Sequence, residues 1–215
     1  MIEVHRFVFN PFAENTYILA GESGICAILD PGCFDDEERK ILVDFITAKG
    51  LRPEFVLNTH CHIDHIFGNR FLTAEYGIPL IAPRGEDYNM QRAIVYSESV
   101  GLDFQPSPEP DTWLTAGGQL TIGKNKLEVL FTPGHSAGHL SFFHGESGKL
   151  FSGDVLFRGS IGRTDLPGGN FDTLMKVIRE VLMPVGDHAT VYPGHGEETT
   201  IGAERKSNPF LLQDV

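Results

Sequence analysis

Four apolar segments of this chain, each with the pattern of a short buried strand, are followed within a few residues by a histidine or an aspartate. Gly, Pro, Asp and Thr surround these residues, whereas a histidine of a packed core usually stands among Leu and Val. Rigid strands deliver side chains to their carboxyl ends, where loops carry function. We therefore predict one site at the rim of a sheet, formed by segments 59–65, 132–135, 152–154 and 193–195.

The first of these segments, T-H-C-H-I-D-H at 59–65, has the spacing of metal ligands. His60 and His62 are two residues apart, so in an extended chain both imidazoles point the same way. Imidazole and carboxylate suit zinc, and iron or manganese nearly as well. The candidate ligands in the four segments are His60, His62, Asp64, His65, His135, Asp154 and His195. These are too many for one tetrahedral ion, whereas two ions that share a carboxylate would use them all and leave room for a bridging hydroxide.

The order of predicted elements indicates an α+β fold with two mixed sheets. Apolar runs predict strands at 2–9, 16–20, 25–29, 55–57, 120–122, 127–131, 140–143, 150–151 and 189–192. Helices are predicted from a capping box at Asp35 and Glu38 to Gly50, at 66–76, 84–101 and 172–182, and near the carboxyl end. An αββα four-layer sandwich, with two packed sheets and helices on the outer faces, would bury every amphipathic face.

Composition restricts the class of protein. The length of 215 residues, 41% of them hydrophobic, predicts a single domain over 1–215. The net charge of −12 argues against binding of nucleic acid or of an anionic membrane. No apolar run approaches the roughly 18 residues of a membrane span, and the amino terminus does not have the pattern of a signal peptide. We expect a cytoplasmic protein. Its oligomeric state does not follow from the sequence.

Two further segments have competing interpretations. Residues 118–125 nearly match a phosphate-binding P-loop, but the hydroxyl that would hold magnesium is missing and a strand pattern follows where a helix is required. We interpret this segment as a strand flanked by turns. The proline-rich loop at 105–110 could be part of a lid over residues 84–112 or only a surface connection.

The T-H-C-H-I-D-H segment resembles the H-x-H-x-D-H signature of the metallo-β-lactamase superfamily. The later T-P-G-H, S-G-D and Y-P-G-H segments are similar to its remaining metal positions, in the same order. G-R-T-D-L-P-G at 162–168 and E-R-K-S-N-P-F at 204–210 resemble the glyoxalase II-like branch, above all the short bacterial hydroxyacylglutathione hydrolases. The resemblance implies an αββα sandwich with a binuclear site. It assigns His60, His62 and His135 to one metal, Asp64, His65 and His195 to the other, and Asp154 to both.

This resemblance implies a hydrolase that uses a hydroxide held between two zinc ions. Iron or manganese could occupy the site in place of zinc. Asp64 and Asp154 are the predicted catalytic carboxylates. We favour a small acyl-thioester substrate over an amide, because a thiolate with a conjugate-acid pKa of about 8.5 needs little protonation to leave. The sequence offers no spare acid that could protonate an amide nitrogen.

Two other classes are compatible with these motifs. A persulfide dioxygenase shares the H-x-H-x-D-H motif and a similar G-R-T-D element, and would hold one iron on His60, His135 and Asp154. A non-catalytic metal-binding member of the fold is the second alternative. Nuclease activity is disfavoured by the net charge of −12.

Arg163 is the predicted substrate-binding residue, because its position matches a lysine that binds glutathione in longer glyoxalase II enzymes. Its planar fork suits a carboxylate of an anionic thioester. The competing interpretation is a loop arginine paired with Asp165. Asp165 stands where those enzymes have a tyrosine, and the chain ends without their carboxyl-terminal helical domain, so we expect weaker and broader thioester recognition.

Four residues near these motifs have subsidiary interpretations. Asp30 resembles a residue that supports the metal loop in this superfamily. His139 either orients the site through a hydrogen bond or caps local structure. The side chain of Cys61 is expected to point away from the metals, and His144 is expected on the surface.

Overall fold

The computed structural model describes residues 2–212, and the chain in this range contains two six-stranded sheets. The described residues divide into two units. The first consists of the residues up to Leu114 together with Thr121–Asn125, and the second of Thr115–Leu120 and the residues from Lys126 onward. The expectation of a single domain over 1–215 stays a prediction.

The sheet of the first unit has its strands in sequence order. They are β1 (Ile2–Phe9), β2 (Glu14–Gly21), β3 (Ile25–Leu29), β4 (Arg52–Leu57), β5 (Leu80–Pro83) and β6 (Thr112–Leu114). The first three strands pair antiparallel, and β3 to β6 pair parallel, so the sheet is mixed. The parallel strands β3 and β4 therefore have their carboxyl ends at one edge, and the segment 59–65 follows β4 there.

Four helices belong to the first unit. They are α1 (Asp36–Ala48), α2 (Ile63–Ile66), α3 (Asn69–Tyr76) and α4 (Asp87–Val100). Half of the predicted capping box is present, since Asp35 accepts a hydrogen bond from the Glu38 amide at 2.9 Å. The Glu38 carboxylate instead accepts from the Phe34 and Asn10 amides, both at 2.7 Å, so it does not close the box on Asp35. The predicted helix 66–76 is present from Asn69 onward as α3, and a turn at Phe67 and Gly68 separates it from the short α2. At Gly68 the chain contacts Pro31. A Cβ at Gly68 would lie 2.9 Å from the Pro31 carbonyl oxygen, so only glycine fits.

The proline-rich loop is fixed to α3 by two hydrogen bonds. Asn69 Nδ2 donates to Ser107 Oγ at 2.9 Å, and Arg70 Nε donates to the Pro106 carbonyl at 2.6 Å. Asn69 Nδ2 also donates to Asn58 Oδ1 at 2.9 Å. These contacts indicate an anchored connection.

The second sheet has the order β14-β13-β10-β9-β8-β7. Its strands are β7 (Gln119–Ile122), β8 (Asn125–Phe131), β9 (Leu140–His144), β10 (Lys149–Gly153), β13 (Thr190–Pro193) and β14 (Thr199–Thr200), with a separate hairpin of β11 (Leu156–Phe157) and β12 (Ser160–Ile161). Residues 118–125 thus contain a strand and a turn, as predicted. Since β9 pairs antiparallel with both β8 and β10, and β13 pairs parallel with β10, the strands β8, β10 and β13 all end at one edge.

Two helices belong to the second unit, α5 (Phe171–Val177) and α6 (Ile201–Ser207). A π-helical turn, Ile178–Leu182, continues α5 to the end of the predicted helix. The apolar side of this helical segment is buried, and Leu174, Ile178 and Leu182 pack with strand residues such as Leu150 and Val191 in one core cluster. In the first unit, the cluster of Ile18, Ile28, Leu42 and Val56 has the same role. No helix within residues 2–212 is long and apolar enough to cross a membrane.

The prediction that His144 lies on the surface is wrong. His144 is only 1% exposed, because it is the last residue of β9 and pairs with Lys149 of β10. Its Nδ1 lies 2.6 Å from Ser147 Oγ in the turn between these strands. Burial lowers the pKa of His144, so the ring is neutral at pH 7.

Candidate metal centre

The predicted ligands of the first unit lie together in the loop after β4. His60 and His65 are fully buried, and their ring centroids are 4.2 Å apart. The ring of His62 lies 4.8 Å from that of His60, and Asp64 Oδ2 lies 3.8 Å from His65 Nε2. Three imidazoles and a carboxylate therefore form one cluster.

Asp30 supports this cluster from the end of β3. The Thr59 amide donates to Asp30 Oδ1 at 2.7 Å, and the Thr59 hydroxyl donates to Oδ2 at 2.6 Å. His65 Nδ1 lies 3.2 Å from the same Oδ2. Because the Thr59 hydroxyl proton points at Asp30, Thr59 Oγ1 accepts from His60 Nδ1, 3.0 Å away. Both histidines thus carry their proton on Nδ1, which gives Nε2 the lone pair that a metal would take.

The predicted ligands of the second unit converge on one oxygen. Asp154 Oδ2 lies 3.5 Å from His135 Nε2 and 3.6 Å from His195 Nε2. Ligands at zinc-like bond lengths in a tetrahedral arrangement are about 3.4 Å apart, so these separations fit a metal ion. His135 Nδ1 lies 2.8 Å from the Arg163 carbonyl oxygen and must donate to it, which again leaves Nε2 as the ligand atom.

His139 holds Asp154 by its backbone. The Asp154 amide donates to His139 Nε2 at 3.1 Å, and His139 Nδ1 lies 2.9 Å from Thr132 Oγ1. A ring nitrogen that accepts a hydrogen bond carries no proton of its own, so His139 is the neutral tautomer with its proton on Nδ1. With both nitrogens engaged, His139 orients the site and is not available as a ligand.

The side chain of Arg163 pairs with Asp165. Its Nε donates to Asp165 Oδ1 at 2.8 Å and its terminal nitrogen to Oδ2 at 2.7 Å, a bidentate pair in which both side chains are exposed. The hydrogen bonds from Arg163 lower the pKa of Asp165 to about 2. The competing interpretation of Arg163, as the partner of Asp165, is therefore realised, and its substrate-binding role stays a prediction.

Two buried carboxyl groups near the first cluster were missed from sequence. Glu14, at the start of β2, is fully buried, and its Oε1 lies 3.9 Å from His65 Nδ1. Burial raises the pKa of Glu14 well above its usual range. Glu86, which precedes α4, is also fully buried and accepts a hydrogen bond from the Cys61 amide at 3.0 Å. The only sequence signal is an acid at the start of an apolar strand or of a helix, where it usually indicates a surface position or a cap.

Cys61 lies between two predicted ligands but points away from them. Its side chain is fully buried in an apolar cluster with Ile66, Ala82 and Ala93. Burial raises the pKa of the Cys61 thiol well above its usual range, so the group stays protonated. This packing agrees with the expectation that the side chain turns away from the metals, which stays a prediction.

The arrangement of two sheets with His and Asp residues after the strand ends identifies the family. The chain matches the model of the Metallo-beta-lactamase superfamily over residues 9–195. It belongs to the metallo-β-lactamase superfamily. The predicted α+β fold with two mixed sheets and helices is thereby confirmed as the fold of this superfamily.

Relatives of this superfamily member are similar over almost their whole length. The probable metallo-hydrolase YqgX of Bacillus subtilis is 39% identical over 207 residues, which cover 96% of each chain. The hydroxyacylglutathione hydrolase GloC of Haemophilus influenzae is 35% identical over 202 residues, which cover 93% of each chain. The chain is therefore a member of a family of metallo-hydrolases.

BLEG-1 and TTHA1623 are two proteins of known structure that are each 34% identical to this chain. BLEG-1, a B3 metallo-β-lactamase, has a TM-score of 0.90 over 98% of this chain and 100% of its own. TTHA1623 in a di-iron-bound form has a TM-score of 0.86 over 96% of this chain and 100% of its own.

The backbone at Gly162 passes directly beside the Asp154 carbonyl oxygen. A Cβ at this residue would collide with the Asp154 carbonyl oxygen and lie 3.4 Å from His135 Cβ. We expect Gly162→Ala to displace Asp154 and to reduce metal content per folded protein, measured by elemental analysis, by about tenfold or more.

The matched control for this prediction is Gly118→Ala. A Cβ at Gly118 meets nothing within 4 Å, and the residue does not have a positive φ. This variant should bind metal like the unmodified protein. Equal metal content in the two variants would contradict a role for the Gly162 contact.

Proposed function

We propose that this protein is a binuclear metal-dependent hydrolase of small acyl thioesters. The first ion would be held by His60, His62 and His135, the second by Asp64, His65 and His195, and Asp154 would bridge the two. One observation carries the proposal. Asp154 Oδ2 lies within 3.6 Å of the Nε2 atoms of His135 and His195, one residue from each ligand set, as a shared carboxylate requires.

The donor set favours two zinc ions, with iron or manganese as the other candidates. Five imidazoles and two carboxylates form it, and the di-iron-bound form of TTHA1623 supports iron in a related site. Such ions, when bound, supply a hydroxide nucleophile at neutral pH and polarise the substrate carbonyl. The protein's contribution is to fix the ligand nitrogens in the correct tautomer, through Asp30 and Thr59 in one cluster and the Arg163 carbonyl in the other.

The available proton donors favour a thioester over an amide substrate. Asp64 and Asp154 are both assigned to the metals, and His139 has both ring nitrogens engaged. A thiolate leaves without an acid, whereas an amide nitrogen requires one. The similarity to GloC, a hydroxyacylglutathione hydrolase, supports the same substrate class, and Arg163 is the predicted contact for its anionic part. The net charge of −12 supports a small molecule rather than nucleic acid or membrane as partner.

The experiment that tests this function is a substrate screen with the freshly purified protein, whose metals are analysed in parallel. We expect an anionic hydroxyacyl thioester to be hydrolysed with a higher kcat/KM than any β-lactam. Faster turnover of a β-lactam, as the similarity to BLEG-1 would allow, would reverse the choice of substrate. Oxygen uptake with a glutathione persulfide would instead favour the dioxygenase alternative.

Asp154→Ala tests the bridging assignment. The variant removes the oxygen shared by the two ligand sets, so we expect metal and hydrolase activity to be lost together, measured by elemental analysis and by the thioester assay. The control is Asp103→Ala, which removes an exposed carboxylate from a loop and should retain both properties. A metal-free Asp154→Ala protein that retains activity would contradict the mechanism.

Arg163→Ala tests substrate recognition. The substitution keeps the carbonyl oxygen that orients His135 and removes only the guanidinium. Because the Arg163 side chain is exposed, its charge-assisted hydrogen bond contributes about 1 kcal/mol, so KM for an anionic thioester should rise about fivefold. KM for a neutral thioester should change much less.

Asp165→Asn should lower KM for the anionic thioester, because it leaves Arg163 without its bidentate partner. If Arg163→Ala changes KM equally for both thioesters, the residue supports the loop and recognises no charge.

A further inference from the structure

The backbone of the ligand loop makes few hydrogen bonds of regular secondary structure. Residues 58–62 lie between β4 and α2, so the buried amides of this segment need other partners. The Thr59 amide donates to Asp30, and the Cys61 amide donates to Glu86 Oε2 at 3.0 Å. Two buried carboxylates, from different parts of the chain, thus hold alternate amides of the loop.

Glu86 binds the backbone of this loop rather than the backbone amides of its own helix. It occupies the N-cap position of α4, where an acidic side chain usually accepts a hydrogen bond from the first turn. The Glu86 side chain makes no such bond. Instead its Oε2 accepts from Asn89 Nδ2 at 2.7 Å as well as from the Cys61 amide. Asn89 therefore fixes the carboxylate at the position where the Cys61 amide meets it.

Cys61 transmits this restraint to both neighbouring imidazoles. Its thiol is packed among Ala93 of α4, Ala82 of β5 and Ile66 of α2, so neither its side chain nor its amide can move independently of α4. His60 and His62 are the residues on either side of Cys61. A shift of the Cys61 backbone therefore changes the separation and orientation of both rings.

We propose that Glu86 is a positioning residue of the metal centre, which sets the geometry of His60 and His62 by holding the Cys61 amide. The inference rests on the proposed function only in taking these two histidines as metal ligands. Glu86 does not contact the metals or the substrate in this role. Residues that orient metal ligands typically change metal affinity by about 10- to 100-fold when they are removed.

The test measures metal affinity rather than turnover. Zinc affinity would be determined by competition with a chromogenic chelator, and the cobalt(II)-substituted protein would report ligand geometry through its visible absorption. We expect Glu86→Ala to weaken zinc binding by at least tenfold and to change the cobalt spectrum. Glu86→Gln retains a carbonyl oxygen that can accept both hydrogen bonds, so its affinity should stay within about threefold of the unmodified protein.

Two further variants separate positioning from stability. Glu98→Ala removes an exposed carboxylate from the same helix and should leave zinc affinity and cobalt spectrum unchanged. Asn89→Ala keeps Glu86 but removes the side chain that fixes it, and should weaken zinc binding about threefold. It provides the test if Glu86→Ala does not fold.

The outcomes distinguish this inference from the function on which it rests. Glu86→Ala with normal zinc affinity and spectrum, but a lower melting temperature of the metal-free protein, would overturn it in favour of a purely structural residue. Glu86→Gln as weak as Glu86→Ala would also overturn it, because an acceptor at this position would not be sufficient. Failure of the unmodified protein to bind zinc, iron or manganese would instead contradict the proposed function itself.

Discussion

The hydrogen bonds of the Asp30 carboxylate organise the cluster of predicted ligands in the first unit. Asp30 has a φ of 46°, a left-handed conformation that is unfavourable for most residues other than glycine, although aspartate tolerates it better than most. In this conformation its side chain receives the Thr59 amide and hydroxyl, while Oδ2 faces His65. Charge-assisted hydrogen bonds to a buried carboxylate are stronger than neutral ones and offset the backbone strain. The tautomers of His60 and His65 both follow from this one group.

The cluster of predicted ligands in the second unit is held by backbone groups. The Arg163 carbonyl orients His135, the Asp154 amide is bound by His139, and Gly162 allows the chain to pass directly beside the Asp154 carbonyl. The hairpin of β11 and β12 joins Asp154 to this segment and is itself held by Glu204 and Asn208, which bind the Gly159 amide and the Ser160 carbonyl. The sequence motifs around 162–168 and 204–210 therefore support the predicted ligands through main-chain contacts, independently of any contact with substrate.

The backbone and the side chain of Arg163 make separate contacts. Its carbonyl oxygen is fixed against the predicted ligand His135, whereas its guanidinium is exposed and paired with Asp165. A substrate anion would have to compete with Asp165 for the same planar fork. This competition agrees with the expectation of weak and broad recognition, and it gives a physical reason why the side chain and the backbone must be tested separately.

The sequence by itself determined nine of the strands and the His and Asp residues that follow four of them, because alternation of apolar residues and local motif spacing are short-range properties. It did not predict β5, β6 or the short strands β11, β12 and β14. It also determined the Asp35 cap of α1. Only the tertiary structure decided which groups support those ligands. Glu86, Glu14 and the Arg163 carbonyl act on histidines far away in sequence, and the burial of His144 depends on a neighbouring strand. A buried carboxylate and a surface carboxylate have the same letter in a sequence, and only the packing around each one gives it hydrogen-bond partners.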